Sequence, residues 1–235
     1  MIDQIDMAVT RYVNGFARQW PAFDWLVLDV LQLPTVKLLP IVGCLVWLWF
    51  SGSENGRRRR MVLDATIGGF VALLVSRTVQ NLSPHRPRPG LSPDFDFVQP
   101  VSGYVNDWSS FPSDTAALAC ALLAAIWLAS RRLGLVALAW TVAVVCFPRL
   151  YGGFHYLSDL LAGGAIGAAA TLLVAYRLPG GERLFGTVVD LSRRHRALFY
   201  TVAFFLAFQV ATYFTDPRQV LSGALAEIGA LRNPQ

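Results

Sequence analysis

An all-α polytopic membrane bundle is the fold class this sequence predicts, and three observations predict it. Of 235 residues, 54% are hydrophobic and only 15% charged, where a soluble domain would carry about 25% charge; mean hydropathy is +0.46. The apolar residues come in blocks rather than amphipathic stripes, and blocks of about 18 residues read as membrane spans. Arginines gather in the gaps between alternate blocks. The reading is therefore about six transmembrane helices plus an N-terminal interfacial helix, in one membrane domain without a soluble partner domain.

Residues 1–33 form an N-terminal segment of their own. "MIDQIDMAVTRYVNGFARQW" has apolar residues at roughly helical spacing and two arginines, which suits a helix lying in the interface. "FDWLVLDVLQL" is apolar but short and holds two aspartates; it reads as part of a re-entrant hairpin or as half of an additional span. Asp3 and Asp6 spoil a basic leader region, so no cleavable signal peptide is expected. The membrane domain covers 34–215, with spans at 35–51, 61–82, 114–130, 134–148, 156–176 and 197–214, and a tail follows at 216–235. The fourth span is short and ends at Pro148. "AGGAIGAAAT" at 162–171 predicts close helix packing. Cys44, Cys120 and Cys146 all lie in apolar blocks, which predicts buried thiols rather than disulfides or a metal site.

The basic stretches "GRRRR" at 56–60, "SRR" at 130–132 and the loop from Arg177 to Arg196 fall on one side. By the positive-inside rule that side is cytoplasmic. The net charge of +5 is then an orientation signal, and nucleic-acid binding is not expected. Segments 83–113, 149–155 and the tail emerge on the other side.

Three elements in those outer segments carry chemistry. In "RTVQNLSPHRPRPG", Arg77 nears the end of a span, and Arg86 and Arg88 follow on a loop stiffened by Pro84, Pro87 and Pro89. Guanidinium groups on a rigid loop make forks for phosphate oxygens, although interfacial arginines also anchor to headgroups. In "FPSDTA", Ser113 or Asp114 can cap a helix, whose N-terminus offers N–H groups to an anion. In "RLYGGFHYLSDL", Arg149 precedes His155 by six residues and Asp159 follows by four. On a helix starting near His155, the carboxylate shares a face with the imidazole, fixes its tautomer and leaves the other ring nitrogen free to attack. The polar 91–107 connection, with Asp94, Asp96 and Asp107, reads as a lid or a plain linker, and Trp108 as a wall against lipid or an interfacial anchor.

Taken together, these elements resemble the membrane-bound type-2 phosphatidic acid phosphatase family, whose core is shared with bacterial acid phosphatases and vanadium haloperoxidases. The family pattern is Lys, six residues, Arg-Pro; then Pro-Ser-Gly-His; then Ser-Arg, five residues, His, three residues, Asp. "RPRP" and "PRLYGGFHYLSD" match it over a core of about 60–176, with Pro148 where a serine is usual. The resemblance implies a helical bundle with its site at the outer end, His155 as nucleophile forming a phosphohistidine, and Asp159 orienting it. Arg149, Arg88 and Ser113 would hold the phosphate, without metal or organic cofactor. Partners so implied are the lipid bilayer and a lipid phosphate or diphosphate, with a bacterial inner membrane as the address and a site facing the periplasm or outside.

Two departures qualify that expectation. The family lysine falls on Asn81; Arg77, one turn earlier, or alternatively Arg86, would supply the charge. The family histidine of the second motif is Thr115, preceded by Asp114 where glycine is usual. A threonine hydroxyl is no general acid, and such acids contribute about 10²–10⁴-fold. Three accounts remain open: a diphosphate substrate whose leaving phosphate needs little protonation, an acid displaced to His85 or Asp114, or loss of hydrolysis. A transporter with an arginine-lined site is the competing class, and it would place those arginines at mid-membrane.

Overall fold

The computed structural model describes residues 2–51, 56–93, 96–98, 109–178 and 180–214. Trp108, most of the 91–107 connection and the 216–235 tail lie outside the described residues. Ten α-helices follow in order: α1 Ile2–Asn14, α2 Pro21–Gln32, α3 Pro34–Phe50, α4 Arg57–Leu82, α5 Asp114–Ala129, α6 Arg131–Trp140, α7 Phe147–Tyr151, α8 Leu157–Arg177, α9 Gly181–Arg194 and α10 Arg196–Ala211. A π turn at Thr141–Cys146 joins α6 to α7, so Arg131–Tyr151 is one continuous rod.

The chain is an integral membrane protein, all-helical among the described residues, where the expected six spans are not shown. Three helices are long and apolar enough to cross: Arg57–Leu82, Arg131–Tyr151 and Leu157–Arg177. The pair Pro21–Gln32 and Pro34–Phe50 makes up to a fourth, bent by 65°. Pro34 at the start of α3 cannot donate back into α2, which accounts for the break at Leu33. Helices α5 and α10 have 16 residues each, about 24 Å of rise, short of a hydrocarbon core of about 30 Å. For α5 the shortness is explained by its setting: Ala116, Leu118, Leu122, Ala125 and Ile126 are all buried, so protein rather than lipid surrounds it.

Helix α5 packs chiefly on α8 and α4, and these three form the centre of the bundle. Small residues bring them together, as "AGGAIGAAAT" predicts. A Cβ on Gly163 would meet Ser113 O at 2.2 Å, and one on Gly167 would meet Ala117 O at 2.0 Å. Thr171 seals the contact by donating its hydroxyl to Ala121 O at 2.8 Å.

Helix α1 reverses the usual amphipathic arrangement. Asp6, Thr10 and Asn14, one turn apart, are buried, while Ile2, Ile5 and Tyr12 are exposed. A polar stripe against protein, with Ile2, Ile5 and Tyr12 exposed beside the charged Asp3 and Arg11, fits a helix seated in the membrane interface. At the opposite end of the bundle, Arg60 pairs with Glu182 and Asp64, and Arg59 stacks over Trp49.

Candidate active site

Three chain segments meet at one end of the bundle: the loop after α4, the start of α5, and the turn between α7 and α8. Their meeting is stitched by backbone. Ser110 N donates to Arg86 O at 2.9 Å, Ser113 N to Asp159 O at 3.1 Å, and Gly90 N to Gly153 O at 2.9 Å. Gly153 has φ +72°, a conformation that favours glycine. This turn lets Phe154 N and His155 N both donate back to Arg149 O, at 2.9 and 3.3 Å. The "RLYGGFH" spacing thus folds Arg149 and His155 around one point.

His155 is buried just before α8, and its Nδ1 lies 2.8 Å from Ser110 O. A carbonyl only accepts, so Nδ1 carries the proton and Nε2 keeps its lone pair. Asp159 sits behind, its Oδ2 3.8 Å from Nδ1; that is beyond hydrogen-bond reach, and it acts through charge. Burial pushes His155 below its ordinary value of 6.5; Asp159 opposes this, and Arg88 and Arg149 add to it. The ring is therefore neutral at pH 7. Asp159 lies beside His155 as the spacing predicts, but the hydrogen bond that fixes the tautomer goes to Ser110 O rather than to the carboxylate; the sequence misses Ser110, because a backbone carbonyl has no residue-type signature.

Asp159 is fully buried and doubly held. Its Oδ2 accepts from Tyr156 N at 2.7 Å, the reach-back of a capping box, and its Oδ1 accepts from Arg86 Nη1 at 2.6 Å. Arg86, expected to grip phosphate or to replace the lysine, has both terminal nitrogens committed inside the protein. Nη1 also donates to Ser158 Oγ at 2.8 Å, Nη2 donates to Asp6 Oδ2 at 2.7 Å, and the guanidinium lies 4.4 Å over the Tyr156 ring. Against the burial that would lower it, Asp6 and Asp159 hold Arg86 above its ordinary value. Its geometry is that of an organiser of carboxylates.

Ser113 caps α5, its Oγ accepting from Ala116 N at 3.4 Å. Asp114 Oδ2 lies 2.6 Å from Arg77 Nη2, and Arg77 Nη1 donates to Gln80 Oε1 at 3.0 Å. Gln80 passes the chain on to Ser109 O at 2.6 Å. Thr115 is buried, and its hydroxyl points to Asp114 Oδ1 at 3.4 Å. An ion-paired carboxylate is stabilised as the anion, so Asp114 is poorly suited to give up a proton. His85, the other displaced-acid candidate, is exposed on the loop, and Asn81 is exposed in the last turn of α4.

Arg149 is buried, with one guanidinium nitrogen on Val145 O at 3.0 Å. Arg88 lies 5.5 Å over the Phe154 ring. Burial pushes Arg88 below its ordinary value; Asp114 counters this, and Arg149 and Arg77 reinforce it. Crowded cations of this kind are relieved by a bound anion. Lys37 of α3 is a further buried basic side chain that the sequence reading passes over. Its Nζ donates to Leu31 O at 2.5 Å, and its charged neighbours are Arg149 and Asp114. All these arginines sit at helix ends or in loops, not at mid-span as a transporter reading requires. A cavity of about 720 Å³ between α3, α4 and α10, walled by Leu45, Phe70, Leu122 and Phe204, is apolar and holds none of these residues.

One end of the bundle thus gathers a buried histidine backed by a carboxylate, clustered arginines and a capped helix start. In comparison with known proteins, residues 66–180 match the PAP2 superfamily, and the chain belongs to that superfamily of membrane phosphatases. Among curated proteins it is 27% identical over 186 residues to "Putative undecaprenyl-diphosphatase YbjG" of Escherichia coli (strain K12), covering 74% of this chain and 84% of that one. The crystal structure of Aquifex aeolicus LpxE shares the fold, with a TM-score of 0.56 at 17% identity over 72% of this chain and 93% of that one.

Proposed function

We propose that the protein dephosphorylates a polyprenyl diphosphate at the outer face of the membrane through a phosphohistidine on His155. The observation that carries this reading is the fixed tautomer, with Nδ1–H on Ser110 O. The Nε2 lone pair attacks the terminal phosphorus, and the bridging P–O bond breaks with its electrons leaving on the lipid phosphate. Asp159 offsets the positive charge that develops on the ring. Arg88, Arg149 and the Ser113 hydroxyl hold the equatorial oxygens, while Arg77 fixes the start of α5 through Asp114. Water then attacks the phosphohistidine, the P–N electrons return to Nε2, and the proton of water leaves with inorganic phosphate or to solvent.

Thr115 is consistent with this substrate class. Expelling an alkoxide from a monoester requires a proton donor, whereas a departing phosphate has a second pKa of about 6 and leaves without one. The E. coli relative named for a diphosphatase supports the same choice. The outer location follows the arginine asymmetry of the loops.

The test is phosphate release in detergent from a polyprenyl diphosphate and from a lipid monophosphate, with His155→Ala and Thr115→His alongside. Turnover of the diphosphate, abolished in His155→Ala, is expected, with monophosphate turnover rising in Thr115→His. Undiminished turnover by His155→Ala would overturn the mechanism. Silence on both substrates until Thr115→His restores activity would overturn the substrate and mark hydrolysis as switched off.

A further inference from the structure

The N-terminal helix reaches the dyad through a continuous chain of charge. Asp6 of α1 is buried at 2% exposure, in a helix whose outward face exposes Ile2, Ile5 and Tyr12. Both of its oxygens are used. Oδ1 accepts from Ser158 N at 2.9 Å, while Oδ2 accepts from Ser158 Oγ and from Arg86 Nη2, the latter at 2.7 Å. Arg86 turns its other nitrogen to Asp159 Oδ1 at 2.6 Å. The order in space is Asp6, Arg86, Asp159, His155, spanning three segments far apart in sequence. The same helix ends on Asn14, which exchanges two hydrogen bonds with Val98 of the outer connection, at 2.7 and 2.9 Å.

We propose that Asp6 is a positioning residue for the catalytic pair, so that the interfacial helix α1 is a working part of the site rather than an anchor only. This rests on the phosphohistidine reading above. A guanidinium shared between two buried carboxylates is placed by both. Asp6 holds Nη2 while Asp159 holds Nη1, so the guanidinium is fixed between them and Asp159 is fixed in turn. Without Asp6 the Nη2 end is released, the start of α8 loses its tie through Ser158, and Asp159 and His155 lose their alignment. A misplacement of about 1 Å at a reacting group costs about 10²-fold in rate. The exposed Ile2, Ile5 and Tyr12 of α1 give this arrangement a seat in the bilayer surface.

Asp6→Asn keeps the shape of the side chain and removes its charge. Assayed on monodisperse protein with the diphosphate substrate, it is expected to lower kcat about 10- to 100-fold with KM nearly unchanged. The double variant Asp6→Asn, Arg86→Gln is expected to be no slower than Arg86→Gln alone, because one path is cut twice. Ser158→Ala is the milder second probe if Asp6→Asn yields too little folded protein, and a several-fold loss of kcat is expected there. An unchanged kcat in the variant measured, or losses that multiply in the double variant, would overturn the proposal. Failure of the mechanism itself reads differently: His155→Ala would remain active whatever residue 6 is.

Discussion

A single methyl group placed on Gly163 tests how closely the site depends on the α5–α8 spacing. The added Cβ would stand 2.2 Å from Ser113 O, where ordinary contact begins at 3.4 Å. Ser113 O is backbone and accepts from Ala117 N at 3.0 Å inside α5, so it cannot swing aside. The two helices must part by about 1 Å, and overpacking of this kind costs about 1–3 kcal/mol. For a chain of this length that is a fall in Tm of roughly 2–12 °C. Since the same step moves Ser113 away from His155, kcat should drop by about 10²-fold. Two neighbours calibrate the result. At Gly164 the new Cβ would meet only Cys120 Sγ at 3.2 Å, a side chain able to yield, so Gly164→Ala should be nearly silent. At Gly167 the obstacle is Ala117 O at 2.0 Å, one turn deeper; Gly167→Ala should lose similar stability with a smaller loss of kcat. Thermal melting in detergent and steady-state phosphate release read both quantities. A Gly163→Ala variant indistinguishable from Gly164→Ala would refute the argument that helix spacing sets the site.

Other outcomes follow from the charges. Because burial lowers the pKa of His155 below 6.5, the nucleophile should remain neutral, and kcat should hold, until the pH falls below that ordinary value. The same shift destabilises the fold in acid: between 6.5 and the lower folded value the unfolded chain binds more protons, so Tm should fall as pH drops through that window. His155→Gln should flatten this part of the Tm profile. Lys37→Met removes a buried amine whose charged neighbours are Arg149 and Asp114; competitive inhibition by inorganic phosphate should weaken by about tenfold, while Tm stays level or rises. Arg77→Ala removes the Arg77–Asp114 ion pair at the start of α5; a fall in both Tm and kcat is expected, and adding Asp114→Asn should cost little more than Arg77→Ala alone.

The parts of this architecture that sequence reveals are those with a residue-type signature. Glycines at 163 and 167 announce a close helix contact, and the spacing of Arg149, His155 and Asp159 announces a turn into a helix start. What stays hidden is carried by backbone and by distant partners. Ser110 contributes a carbonyl, which every residue owns. Asp6 reads as a charge that spoils a leader, because its partners Arg86 and Ser158 lie 80 and 152 positions away. Arg86 and Arg88 look alike on the "RPRP" loop; only the fold assigns one to the carboxylates and sets the other among cations. Span counting overshoots for a related reason: α5 is as apolar as a lipid-facing helix but is enclosed by its neighbours.

The π turn at Thr141–Cys146 acts on this rod as a phase slip in a periodic signal. An inserted residue advances the helical phase by about 100°, so the two halves of Arg131–Tyr151 obey different registers. The half before the slip sends Leu135, Val136 and Leu138 outward. Beyond it, Arg149 and Tyr151 are turned inward and buried, and Pro148 sits where the wider turn already disturbs the hydrogen-bond ladder. A helical wheel drawn in one frame over the whole rod would misplace the arginine by more than a quarter turn. Read in two frames, the same residues describe a lipid-facing stem that delivers a cation to the protein interior.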